Sequence, residues 1–278
     1  RDLYSHNGER AFDSRFMGDQ VYEAGFEVCV CTPEEVPAEK ESGKMLGGHW
    51  EGCRVGFDLG ASDYKLAAVI EGKPVFHDET IWEPRKHADP EYYYDEILAA
   101  LQRAASKMPH LDAIGGSSAG IYIDNRPVVS SLFRAVPPEH FSAIKDLFIN
   151  IQKEMGVPLD VINDGDVTAL AGAMSIGEGS ILGIAMGSSE AAGFVDANMH
   201  IIGWLNELAF APIDYSPNAP VDTWSGDRGC GASYFSQQCV FRLAPRAGIE
   251  IPPELSDAEK LKFVQKRLEA GDQRAMQI

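Results

Sequence analysis

The stretch LDVINDGDVTALAGAMSIGEGSILGIAMGSSEAAGFV, Leu159 to Val195, decides how the rest of the chain is read. It opens with an apolar run, Leu159, Val161 and Ile162. It then drops into Asn163-Asp164-Gly165-Asp166, which sets a carboxylate at a strand end ahead of a run of good helix formers, Val167 to Met174. A second apolar run, Ile181 to Met186, meets Gly187-Ser188-Ser189, and Ala191, Ala192 and Gly193 predict a following turn small enough for a phosphate to approach the backbone. Strand, acid, helix, strand and small-residue turn are the parts phosphoryl transfer uses: a group that orients a hydroxyl, and main-chain donors around phosphates. The plain alternative is an ordinary αβ unit with a polar turn.

Working outward, Val55 to Ile70 reads as two strands joined by a tight turn, with a third strand from Pro74 to Trp82. Asp58 ends the first strand, where a carboxylate can hold Mg²⁺ through its waters, and Gly60 to Ser62 offer backbone and hydroxyl donors to phosphate. A simple hairpin with a polar turn is the other reading. Pro90 to Met108 and Phe141 to Met155 are predicted amphipathic helices. Leu111 to Gly115 is a predicted strand running into Gly116-Ser117-Ser118-Ala119-Gly120, either a tight turn or one that admits a ligand to the backbone at Gly120. Beyond Val195, Glu207 is a lone acid within Gly203 to Phe210; it either meets a polyol hydroxyl or sits solvated on a rim. Ala232 to Leu243 and Asp257 to Ala270 are the last predicted helices, the second capped by Ser256.

In this order the motifs resemble the ROK family, bacterial sugar kinases and sugar-responsive repressors of the actin, hexokinase and Hsp70 superfamily. Asp58-Leu59-Gly60-Ala61-Ser62 looks like the family's first phosphate turn, with Ser62 in place of Thr, and Asn163-Asp164 matches its Asn-Asp pair. Gly187-Ser188-Ser189 falls at the second phosphate loop, and Glu207 at the sugar-binding glutamate of Gly-Glu-Ile-Gly-His. The resemblance implies an α/β, RNase H-like (actin-like ATPase) fold of two lobes with a ligand cleft. It also implies transfer of the ATP γ-phosphate to a sugar hydroxyl, with Asp164 as base, Asn163 and Glu207 on the sugar, and Asp58 helping to place Mg²⁺. A non-catalytic sugar or metabolite sensor with degenerate nucleotide loops is the second expectation. Family members are often dimers.

The chain departs from the pattern at several places. Phe210 replaces the family's zinc-binding His, Thr223 and Ser225 replace two of its three cysteines, and Ala232 stands where a sugar-contacting Glu is expected. Cys230 alone cannot build a tetrahedral site, so no structural zinc is expected there. Ser189, Glu190, Ala191 and Ala192 stand in place of phosphate-loop residues, and a carboxylate near phosphate is repulsive without a metal.

The bulk composition narrows the partners. A formal charge of −18, with 24 Lys and Arg against 42 Asp and Glu, argues against a nucleic-acid partner. No apolar run is long enough for a membrane span and no signal-peptide layout is present, so a cytoplasmic location is expected. Cys29, Cys31, Cys53, Cys230 and Cys239 fit a reducing compartment better than a disulfide framework. Cys29, Cys31, His49 and Cys53 offer a zinc ligand set, but Gly25 to Cys31 reads as a strand carrying buried thiols. Residues 1–52 are expected to be an irregular acidic extension without chemistry, 53–165 a first lobe, and 166–278 a second lobe that is cut short.

Overall fold

The computed structural model describes residues 1–38, 40 and 43–278. In chain order they form α1 (Ala11–Arg15), one π-helical turn (Phe16–Val21), β1 (Cys53–Leu59), β2 (Asp63–Ile70), β3 (Lys73–Ile81) and α2 (Pro90–Ala105). There follow β4 (Ala113–Ser118), β5 (Ile121–Ile123), β6 (Arg126–Val129), α3 (Phe141–Lys145), α4 (Leu147–Met155) and β7 (Leu159–Asn163). The chain continues through α5 (Asp164–Ile176), β8 (Ile181–Met186), β9 (Glu190–Val195), α6 (Gln237–Leu243) and α7 (Asp257–Glu269).

The main sheet runs β3-β2-β1-β4-β7. Its first three strands are antiparallel neighbours, and β1, β4 and β7 are parallel. Period-two burial along β1 sends Cys53, Val55, Phe57 and Leu59 into the core and leaves Asp58 on the other face. Against that core face, α2 presents Tyr93, Ile97, Leu101 and Ala104 at helical spacing, started by Pro90 behind the Asp89 cap. Phe148 of α4 stacks on Phe57 at 6.0 Å between ring centroids. Leu101 is fully buried, so truncating it to Ala costs about 2–5 kcal/mol.

The antiparallel pair β8–β9 packs against α5. A Cβ on Gly165 would lie 2.2 Å from the Ala192 carbonyl oxygen, and one on Gly193 would lie 2.3 Å from the Gly165 oxygen. Only glycine permits this approach, and it fixes the first turn of α5, with Asp164 and Asp166, against β9. Among the described residues, no helix is long and apolar enough to cross a membrane.

Five local expectations change. Gly116 to Ser118 continue β4 in place of turning, because they pair with Phe57 to Leu59 of β1 and Val161 to Asn163 of β7. Gly25 to Cys31 forms no strand: neither edge of the sheet pairs with it, Val30 is 89% exposed, and Cys29 and Cys31 are exposed. Phe141 to Met155 breaks at Asp146, whose φ and ψ of −98° and 4° leave the helical path. Ala191 to Gly193 belong to β9 because they pair with Gly183 to Ala185 of β8, so only Gly187 to Ser189 turn. Within Ala232 to Leu243, the α-helix begins at Gln237 behind the Ser236 cap, preceded by a 3₁₀ turn at Gly231–Ser233.

Candidate functional site

The parallel strands β1, β4 and β7 deliver their C-terminal ends to one place. Asp58 lies opposite Ser117 of β4, and Asn163 lies opposite Ser118 on the other side of the same strand. At ordinary strand spacing the backbones at Asp58 and Asn163 are about 10 Å apart. The Ser117 hydroxyl donates to Asp58 Oδ1. Asn163 is the N-cap of α5: its Oδ1 accepts from the Gly165 amide at 2.7 Å, and its Nδ2 donates to the Gly120 carbonyl at 2.8 Å. Gly120 takes a φ of +125°, and a Cβ there would lie 2.3 Å from the Val129 oxygen.

Asp164 therefore begins a helix at a fixed point. Burial raises its pKa, the Gly165 amide opposes the shift, and the charge of Asp58 adds to it. The charge of Asp58 thus reaches Asp164 across the strand ends. Burial carries Asp166 up to about 6, against the pull of the Asn206 amide, which donates to it at 3.0 Å. Glu207 is pushed up to about 7, by burial first and then by the charges of Asp164 and Asp166.

A cavity of about 300 Å³ opens beside these groups, lined by Gly120, Asn163, Asp166, Asn206 and Glu207. That is the lower end of small-molecule site volumes, about 300–1,000 Å³. Its polar lining is rich in carboxylate and amide oxygens, acceptors suited to hydroxyl groups. Asn163, Glu207 and Gly120, the three residues expected on the sugar, all line it, whereas the neighbouring Asp164 is not part of its wall. Val21, Tyr22, Lys44 and Leu46 also line it, so the N-terminal segment contributes part of the wall. Sequence reasoning assigned no role to these residues or to Asp166 and Asn206. Asp166 had a local signal, one more acid in the same helical turn, but the segment before residue 53 had none.

The same N-terminal segment fastens the loop behind Glu207. Arg10, 6% exposed, donates through Nη1 to Asp227 Oδ2 at 3.3 Å and to the Phe210 carbonyl at 3.4 Å, and through Nη2 to the Arg228 carbonyl at 3.1 Å. Nη1 also lies 3.7 Å from Cys230 Sγ. Phe12 and Phe16 close over this clasp against Trp224, with ring centroids 5.5 and 5.7 Å away. Phe210 and Cys230, two positions that the resemblance assigns to zinc ligands, thus meet a guanidinium. The set Cys29, Cys31, His49 and Cys53 does not converge among the described residues; the buried Cys53 thiol lies beside His110 and Asp112 instead.

The two turns expected to meet phosphate are partly engaged with themselves. The Gly60 amide donates to the Asp63 carbonyl and the Ser62 hydroxyl to the Asp63 carboxylate, both at 2.9 Å. The Gly187 amide donates to the Ser189 carbonyl at 2.9 Å. Among the described residues, no backbone carbonyl takes the amides of Ala61, Ser62, Ser188 or Ser189. Behind the second turn, Glu190 is 7% exposed, its Oε2 has no partner, and burial raises its pKa.

No protein-family model and no curated protein sequence matches the chain. Solved structures do. A ROK hexokinase from Thermus thermophilus aligns at 19% identity and a TM-score of 0.58, over 81% of this chain and 71% of that one. A ROK family glucokinase from Streptomyces griseus, in complex with glucose and AMPPNP, aligns at 20% identity and 0.60, over 81% and 73%. A ROK family transcriptional regulator, a homolog of the E. coli MLC protein, aligns at 19% and 0.51, over 73% and 53%. At these identities the likeness is one of fold: the chain has the RNase H-like, actin-like ATPase fold of ROK proteins.

Proposed function

We propose that the chain is a ROK-like sugar kinase that transfers the γ-phosphate of ATP to a hydroxyl of a sugar or sugar derivative. The observation that carries this reading is the placement of Asp58 and Asp164 at the C-terminal ends of β1 and β7, two strands flanking β4, with the charge of Asp58 reaching Asp164, beside a cavity lined by Asn163, Asp166 and Glu207. Sugar hydroxyls donate to Asn163, Asp166 and Glu207, and Gly120 lets the ligand lie against backbone. Asp164 takes the reacting hydroxyl proton. In a loose transition state its main work is orientation, worth about 10²–10⁴ in rate.

Two carboxylates at neighbouring strand ends, one of them Asp58 with the Ser117 hydroxyl donating to it, fit a divalent cation, and Asp58 would hold Mg²⁺ through water. Bound Mg²⁺ neutralises charge on the phosphates. The open amides of Ala61, Ser62, Ser188 and Ser189 fit phosphate oxygens and act as fixed donors. The test is ATP consumption with phosphosugar formation over a panel of hexoses, amino sugars and N-acetyl sugars, with Asp164→Asn as control. Equal turnover by that variant overturns the assigned base.

A second reading, a non-catalytic sugar sensor, is favoured by Glu190, a buried carboxyl behind the second phosphate turn. Calorimetry separates the two: sugar binding without ATP·Mg²⁺ binding supports the sensor.

A further inference from the structure

The proposed substrate site uses the C-terminal ends of the parallel strands. At the opposite end of the same sheet, three side chains of metal-binding type converge. Cys53 is the first residue of β1, and Asp112 immediately precedes β4. The parallel register of Arg54 with Ala113 brings them side by side. The Asp112 amide donates to the Cys53 carbonyl at 2.8 Å, and the Cys53 amide donates to Asp112 Oδ2 at 2.7 Å. His110 Nε2 stands 3.1 Å from the same Oδ2. Ligand atoms of Cys53, His110 and Asp112 all lie within 4.8 Å of one another.

We propose that Cys53, His110 and Asp112 form a Zn²⁺ site, with a water as fourth ligand. A thiol, an imidazole and a carboxylate are the ligand types zinc takes. At bond lengths of about 2.0–2.3 Å, a tetrahedron puts its ligand atoms about 3.4 Å apart. The observed cluster needs only a short contraction to reach that size. His110, 61% exposed on the loop before β4, has the freedom to make it, while the strand pairing holds the other two. Soft thiolate favours zinc over magnesium or calcium.

Two further features belong to a prepared site. Gly52 has φ +78°, and a Cβ there would lie 2.5 Å from Asp112 Oδ2, so the carboxylate occupies space that only glycine leaves. The Cys53 amide bond to Asp112 orients that ligand, as supporting hydrogen bonds do at zinc centres. Arg54, next to Cys53 in β1, is turned to Glu51, bonding its carbonyl at 2.9 Å and its carboxylate at 3.3 Å. Binding releases the Cys53 thiol proton, and the metal joins the start of β1 to the start of β4, a structural role far along both strands from Asp58.

The experiment uses Co²⁺ as an optical substitute for Zn²⁺ on the full chain, reduced and stripped of metal. One equivalent of Co²⁺ is expected to give thiolate-to-cobalt charge transfer and tetrahedral d–d bands, both displaced by Zn²⁺. Cys53→Ser abolishes the charge transfer. His110→Ala, an exposed change that leaves the core intact, weakens binding by at least the factor of about 10–100 that supporting groups alone command. A Cys29→Ser/Cys31→Ser double variant keeps the bands. Zn²⁺ raises the thermal midpoint of the wild type and, at the same concentration, raises that of His110→Ala less. Absence of the bands, their survival in Cys53→Ser, or their loss in the Cys29/Cys31 variant overturns the site.

Discussion

The proposed sugar side and the proposed phosphate side are both built at strand ends, the first where β7 enters α5 and the second where β1 and β8 enter short turns, and they finish in opposite conditions. On the sugar side the polar groups are either held by partners, as Asn163 is by Gly120 and Gly165, or left facing a cavity, as Glu207 is. On the phosphate side the turns bond partly to themselves, and Glu190 keeps a buried oxygen with no partner. Binding a polyol and placing a triphosphate therefore make separate demands on this chain. In the proposed kinase the first falls to rigid strand ends and the second to short turns that must stay open.

The largest expected effect breaks the comparison at its hinge. Asp164→Asn should lower the rate of ATP-dependent sugar phosphorylation by about 10²–10⁴-fold while sugar affinity stays within a fewfold, read by coupled ADP release and by calorimetry. A parallel fall in affinity would move Asp164 to the sugar side. Next comes the clasp that seats the Glu207 loop. Arg10→Ala leaves Asp227 buried without its guanidinium and should cost about 3–5 kcal/mol in urea unfolding, with sugar binding lost alongside. Arg10→Lys should recover only part of this, because an ammonium cannot span two carbonyls and a carboxylate in one plane.

A change on the phosphate side should sharpen the contrast. Glu190→Met removes an unsatisfied buried oxygen and should stabilise the protein by about 1–3 kcal/mol while tightening ATP·Mg²⁺ binding, with sugar affinity unchanged. Looser nucleotide binding would show that Glu190 helps the phosphate turn. The smallest effect is a pH signature. Glu207 is raised from 4.5 to about 7, so the folded state holds its proton where the unfolded chain has lost it. Stability from this group is present at low pH and falls as pH rises from about 4.5 to 7. Glu207→Gln should therefore raise the thermal midpoint at pH 8 and change it little at pH 5.

The parts legible in the sequence were those set by strand ends. Asp58, Asn163 and Asp164 each follow an apolar run, and a parallel sheet sends such positions to one edge whatever surrounds them. The alternation of Gly25 to Cys31 misled because alternation records two faces without recording whether a sheet edge is available to pair with. Tyr22 and Lys44 were illegible for a different reason: they reach the cavity through contacts about 80 or more residues away in sequence, and nothing local to them announces it. Arg10 is the sharpest case, since its hydrogen-bond partners lie 200 to 220 residues away. Cys53 meets companions other than those the sequence suggested, because strand register brings His110 and Asp112 beside it in place of Cys29, Cys31 and His49.

The indole of Trp204 lies on the cavity wall, stacked on Phe194 at 5.3 Å with the planes 11° apart, while Trp82 is locked in the core and Trp224 under the Phe12 and Phe16 rings. The molecule thus carries its own lamp at the mouth of the pocket, one steady reference in Trp82, and two outer indoles, Trp50 and Trp224, that lie outside the pocket wall and form a constant background. An occupant that displaces solvent from Trp204 changes the colour and brightness of that one emitter, and titrations of unlabelled protein can be followed by eye of a fluorimeter alone.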